Sequence, residues 1–147
     1  MVRITKRNFS INNELKKFNF KKLKIGSIVS FVGYVRDLYS SNDDSLLSLN
    51  LDYYKGMTEK LMLKIEDQAF KLWSLEDIKI IHRVGELKLH DQIVLVLVAS
   101  RHRDNAFKAC EFIIDHLKIN APLWKKEISL KNSRWVDQTE KDILKVI

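Results

Sequence analysis

Apolar positions recur along this chain with two periods, near two and near four residues, and the changes between them mark out its elements. Arg3 to Ile11 alternates weakly and reads as an edge strand leading to Ser10, which can cap a brief helix through Asn12 to Phe18. Ile25 to Arg36 is rich in β-branched and aromatic residues, the signature of a strand, with Gly26 and Gly33 marking bends or close backbone approaches. After a polar loop over Asp37 to Ser45, Leu47, Leu49, Leu51 and Tyr53 alternate with Ser48, Asn50, Asp52 and Tyr54. That is a strand with one wet face, expected to pair antiparallel with the preceding one. Thr58 and Glu59 open a helix whose stripe is Leu61, Met62, Ile65, Ala69, Leu72 and Trp73.

Asp77 to Val84 is a strand with Ile78, Ile80 and His82 on one side, broken at Gly85-Glu86. Gln92 to Ser100 is apolar without interruption, which places it at the centre of a sheet covered on both faces. With Asp104 as N-cap, Ala106, Phe107, Cys110, Ile113, Ile114 and Leu117 form one helical face. Pro122 lacks an amide hydrogen and disfavours helical geometry at Ala121, so that helix stops near Asn120 with Lys118 in its last turn. Leu123 to Leu130 alternates again, with Lys125 and Glu127 on one face and Trp124, Lys126 and Ile128 on the other. Arg134-Trp135-Val136 reads as a further strand, followed by a short helix.

At 147 residues, 46% of them hydrophobic, the chain is expected to form one domain over residues 1–147. Twenty-six basic against nineteen acidic side chains leave a net charge of +7, which favours an anionic partner. Cys110 is the sole cysteine, so no internal disulfide can form and a reducing, cytoplasmic location fits best. The N-terminus lacks the apolar core of a signal peptide, and the apolar run from Ile93 to Ala99 is too short to span a bilayer, so no membrane partner is expected.

Chemistry concentrates where the buried strand meets the following helix. His102 and Arg103 stand at a helix N-terminus, where free amides and the dipole already favour a phosphate or carboxylate, although such a pair is as often a surface feature. Lys118 and Lys125 flank the turn at Asn120-Ala121-Pro122 and are close enough in sequence to share a pocket. A lysine among cations and partly desolvated is suited to proton transfer or nucleophilic work. The plainer alternative has Lys118 balancing the helix dipole and Lys125-Lys126 pairing with Glu127. His82, His90, His102, His116 and Cys110 show no metal-ligand spacing, and no glycine-rich phosphate loop or nucleophile elbow is present. Trp73, Trp124 and Trp135 fall mostly at core-phase positions, which argues against a nucleic-acid surface. A basic, non-enzymatic module for RNA or an acidic protein is the rival class.

Four segments, Ile81 to Leu87, Ser100 to Phe107, Asp115 to Lys118 and Ala121 to Glu127, resemble in order and spacing the large, catalytic subunits of molybdopterin synthase. Val35-Arg36-Asp37, Leu51 to Met57 and Arg134-Trp135-Val136 fit the same pattern. The resemblance implies an α+β, hammerhead-type domain with a mixed, largely antiparallel sheet packed by two main helices. It implies a homodimer within a heterotetramer, the other partner being a small ubiquitin-like sulfur-carrier subunit whose Gly-Gly C-terminus carries a thiocarboxylate. Sulfur passes from that terminus to cyclic pyranopterin monophosphate, forming the dithiolene of molybdopterin without metal or organic cofactor. By the same resemblance Lys118 and Lys125 are catalytic, Arg36, His102 and Arg103 hold the phosphate region, and Lys126 and Glu127 complete the pocket wall. The sequence departs from the family pattern at Asn42-Asp43-Asp44 and at His90, where glycine is common, and at Arg101, expected to add charge beside the site.

Overall fold

The computed structural model describes residues 1–36, 46–129 and 133–136, so the loop expected over Asp37 to Ser45 and the helix expected after Val136 lie outside the described residues. In chain order the elements are β1 (Val2–Thr5), α1 (Ile11–Lys16), β2 (Ser27–Tyr34), β3 (Leu46–Tyr53), α2 (Met57–Leu72), β4 (Asp77–Arg83), β5 (Gly85–Lys88), β6 (Gln92–Ser100), α3 (Arg103–Asn120), β7 (Leu123–Ser129) and β8 (Ser133–Val136). The fold is α+β, as expected. Its described strands divide between two sheets ordered β1-β4-β6-β2 and β5-β3-β7-β8, antiparallel apart from the parallel pair of β1 with β4.

The expected pairing of β2 with β3 does not occur. β2 pairs with β6, Ser27 opposite Ser100, while β3 lies between β5 and β7 in the other sheet. Local alternation fixes which face of a strand is wet, and both segments have the right alternation, but it carries no information about the neighbour.

β6 sits inside its sheet and is covered on both faces. On one side, Met62, Ile65 and Ala69 of α2 and Ala106, Ala109, Cys110, Ile113 and Leu117 of α3 pack on Ile78, Ile80, Val96 and Val98. On the other, Phe9 and Phe18 cover Ile81, Leu95, Leu97 and Ala99. Each such large aliphatic side chain contributes about 1.5–3 kcal/mol on full burial, so the two layers hold β6 as the rigid reference for whatever its ends carry. Ser10 caps α1 as expected, its hydroxyl accepting the Asn13 amide hydrogen at 3.3 Å. Buried Glu14 on α1 accepts from Arg3 at 2.7 Å and from Lys17 at 2.8 Å, tying the helix to β1.

Several predicted core residues are placed differently. Phe107 is 61% exposed and Leu72 60% exposed, and Ala109 takes the inward place on α3. A helix buries an arc, and residues at its edge are assigned by the neighbour's shape rather than by their own hydrophobicity. Trp124 and Trp135 are likewise exposed rather than in the core. α3 begins at Arg103 with His102 as N-cap, leaving Asp104 in the first turn, where a carboxylate still suits the dipole. His90 has φ of 69°, which accounts for the glycine common at that turn.

Candidate active site

The corner joining β6 to α3 is built from backbone contacts. Ser100 is fully buried; its hydroxyl donates to the Ser74 carbonyl at 3.0 Å and accepts from the His102 amide at 3.3 Å. From the other side the Gly26 amide donates to the Ser100 carbonyl at 3.0 Å. A Cβ on Gly26 would lie 2.2 Å from the Arg101 carbonyl oxygen, so only glycine permits this approach. On that clamped turn His102 and Arg103 are exposed at the N-terminus of α3, where amide hydrogens and helix dipole favour an anion. Arg101 does not add free charge beside them. Its Nε donates to Glu76 Oε1 at 2.8 Å, and the other Glu76 oxygen accepts the Lys24 amide at 3.0 Å; these bonds, the Arg101 one foremost, hold the Glu76 carboxyl below its ordinary pKa.

The two lysines lie at the far end of α3. Lys118 is exposed in its last turn. The chain reverses through Ala121-Pro122, and Lys125 follows on β7, opposite Leu51 of β3, which on its other side faces Gly85 of β5. Lys125 shares its face of β7 with Glu127, which is buried at 2% exposure. Lys126 points to the opposite face, its Nζ 5.8 Å from the centroid of the exposed Trp135 ring, so it does not share a pocket wall with Lys125 within this chain.

Arg36 belongs to the lysine end. β2 runs antiparallel to β6, and the Val35 amide donates to Asp91 at 2.8 Å, so the exposed Arg36 leaves the sheet where β6 begins. α3 packs back along β6 and β2, which carries its C-terminus toward the same end. Fifteen residues of helix separate Arg103 from Lys118, an axial distance of roughly 22 Å at 1.5 Å per residue. By chain path, Arg36, Lys118, Lys125 and Glu127 lie toward the C-terminal end of α3, and His102 with Arg103 at its N-terminal end. Between them, β2 and α3 border an open groove of about 480 Å³ lined by Val29, Phe31, Phe107, Cys110, Glu111 and Ile114. Burial pushes the Cys110 thiol up to about 11, so it is an inert packing group rather than a nucleophile.

His82 is the residue that sequence reasoning missed. Its place on the stripe with Ile78 and Ile80 was legible, and a polar ring on an apolar stripe was the available signal. The ring is buried, its Nδ1–H donating to the Arg83 carbonyl at 2.8 Å, which leaves Nε2 as an acceptor. Burial first, and then the neighbouring Lys125 charge, lower its pKa to about 4 against the opposing Arg83 contact, so a neutral imidazole stands near Lys125. Among the described residues no three His, Cys, Asp or Glu side chains gather to hold a metal.

Comparison with known proteins points one way. The family model described as MoaE protein matches residues 4–120. The chain is 45% identical over 141 residues to the molybdopterin synthase catalytic subunit of Vibrio cholerae, covering 96% of this chain and 92% of the relative. It is 47% identical over 137 residues to that of Ralstonia nicotianae, covering 92% and 76%. Its fold superposes on the molybdopterin biosynthesis MoaE protein from Burkholderia ambifaria with a TM-score of 0.81 at 39% identity, covering 99% of this chain and 96% of that one. Family model, relatives and fold together establish that the chain belongs to the MoaE family of molybdopterin synthase catalytic subunits.

Proposed function

We propose that this chain acts as a molybdopterin synthase catalytic subunit, a sulfurtransferase of molybdenum cofactor biosynthesis, with its chemistry at the Lys118 end of α3. A small ubiquitin-like carrier brings sulfur as the thiocarboxylate of its Gly-Gly C-terminus, and cyclic pyranopterin monophosphate receives it. Both reactants are anionic and repel each other. Arg36, Lys118 and Lys125 offset that repulsion, and the observation that carries the reading is the chain path, which brings the end of β2, the last turn of α3 and the start of β7 toward one end of the molecule. Lys118 moves the proton as the carrier's sulfur bonds to the pterin carbon and water leaves that carbon; a further water then hydrolyses the acyl–sulfur bond, freeing the carrier as a carboxylate, and Lys125 holds that terminal group. Neutral His82 beside Lys125 adds no positive charge to this set.

The phosphate end of the substrate goes to His102 and Arg103. The roughly 22 Å along α3 between Arg103 and Lys118 exceeds the length of one pterin, so a single chain does not offer both ends to one substrate molecule. The homodimer resolves this: His102 and Arg103 of one copy complete the lysine site of another. Among the described residues no helix is long and apolar enough to cross a membrane, and a cytoplasmic location, with Cys110 reduced, belongs to the same reading. The direct test is incubation of the purified chain with thiocarboxylated carrier and cyclic pyranopterin monophosphate. Dithiolene product supports the reading; its absence, with both partners bound, refutes it.

A further inference from the structure

The position of Lys125 relative to Lys118 depends on how the chain turns at Ala121-Pro122, and one side chain from outside that turn is bonded to it. Thr58, in the first turn of α2, is fully buried. Its hydroxyl donates to the Pro122 carbonyl at 3.1 Å and accepts from the Tyr54 amide at 3.2 Å. The Thr58 amide in turn donates to the Tyr54 carbonyl at 2.9 Å. One hydroxyl thus joins three segments: the exit of β3, the start of α2 and the reversal between α3 and β7. β3 carries the register onward, since Tyr53 pairs with Leu123 and Leu51 with Lys125. The first turn of α2 is fixed in its own right by Glu59, whose carboxylate accepts the Gly56 amide at 2.6 Å.

The mechanism above gives Thr58 no part, and its contacts are more specific than packing needs. A buried methyl group would fill the same space, whereas the hydroxyl also pairs the Pro122 carbonyl and the Tyr54 amide in part-buried hydrogen bonds. We propose that Thr58 is a positioning residue for sulfur transfer, its hydroxyl holding the Pro122 turn so that Lys118 and Lys125 meet the reacting atoms in one geometry. This rests on the reading of those two lysines as the groups that act on substrate. Misplacing a catalytic group by a fraction of its reach costs turnover rather than affinity, because the phosphate end of the substrate is held elsewhere.

Thr58→Val keeps the shape and removes the hydroxyl; Thr58→Ser keeps the hydroxyl and removes the methyl group. Steady-state turnover is measured with thiocarboxylated carrier and cyclic pyranopterin monophosphate, with melting temperatures taken alongside. The expected result is a kcat at least tenfold lower for Thr58→Val with KM within twofold, and kcat within twofold of the parent for Thr58→Ser. Thr58→Ala, which cannot clash, falls with Thr58→Val. Ile65→Val, a core change on the same helix, lowers the melting temperature without changing kcat, which separates positioning from stability. Full kcat in Thr58→Val or Thr58→Ala overturns the proposal, as does Thr58→Ser as slow as Thr58→Val, or Ile65→Val with the same loss of kcat. Lys118→Ala in the same assay separates the two levels: inactive Lys118→Ala beside full-rate Thr58→Val refutes Thr58 alone, whereas active Lys118→Ala refutes the lysine reading and this proposal with it.

Discussion

His82 shows how one buried side chain links the site to the stability of the fold. The unfolded chain takes up a proton at this residue below its ordinary pKa of 6.5, whereas the folded chain refuses one until about 4. In that window the unfolded state binds more protons, so stability falls as pH falls. From pH 7 to pH 5 the loss from this group is about 2 kcal/mol. Denaturant titrations at the two pH values measure it, and His82→Asn, which never takes a proton there, flattens the dependence. Glu14 acts in a separate, lower window. Burial raises its pKa, but the hydrogen bonds and charges of Lys17 and Arg3 outweigh that and hold it below its ordinary 4.5. Its stabilisation is therefore present above that value and lost as pH falls through the folded pKa.

Among the elements, β6 and α3 were the most legible in the sequence, because their signals are local. The unbroken apolar run from Ile93 required cover on both faces, and Pro122 ends α3 at Asn120 as its chemistry dictates. What escaped was everything decided by a distant neighbour: the partner of β2, the exposure of Phe107, the Glu76 contact that occupies Arg101, and the hydroxyl of Thr58 on Pro122. At the site, the residue types at Lys118, Lys125, His102 and Arg103 were readable, and so was the helix that spaces the two ends, because its apolar face runs from Ala106 to Leu117 and Pro122 stops it just beyond Lys118. The corner at the start of α3 has its own dependence on a single atom's absence. Gly26→Ala places a methyl group against the Arg101 carbonyl and destabilises by about 2 kcal/mol or more. It also raises KM for the pterin by moving His102 and Arg103; thermal unfolding and substrate titration of the same variant check both effects.

For the whole molecule, the separation along α3 makes a prediction about mixtures. Arg103→Ala removes the phosphate end of every site it contributes to, and Lys118→Ala removes the chemistry. In the homodimer proposed above, mixed pairs of the two carry one site with both residues intact and one with neither. Random reassortment makes half of all dimers mixed, so activity at low substrate recovers to about a quarter of the parent's. A single-chain site gives no recovery, since every chain is then defective. Unfolding and refolding the two variants together, against each alone, is the comparison.

Whether Lys118 acts on the reacting atoms of a sulfur transfer is read out in a single turnover. Parent and Lys118→Ala are each saturated with thiocarboxylated carrier, mixed with cyclic pyranopterin monophosphate and quenched over time. Dithiolene product is expected from the parent and none from Lys118→Ala, with the carrier complex intact in both. Product formation by Lys118→Ala at a rate near the parent's contradicts that role for Lys118.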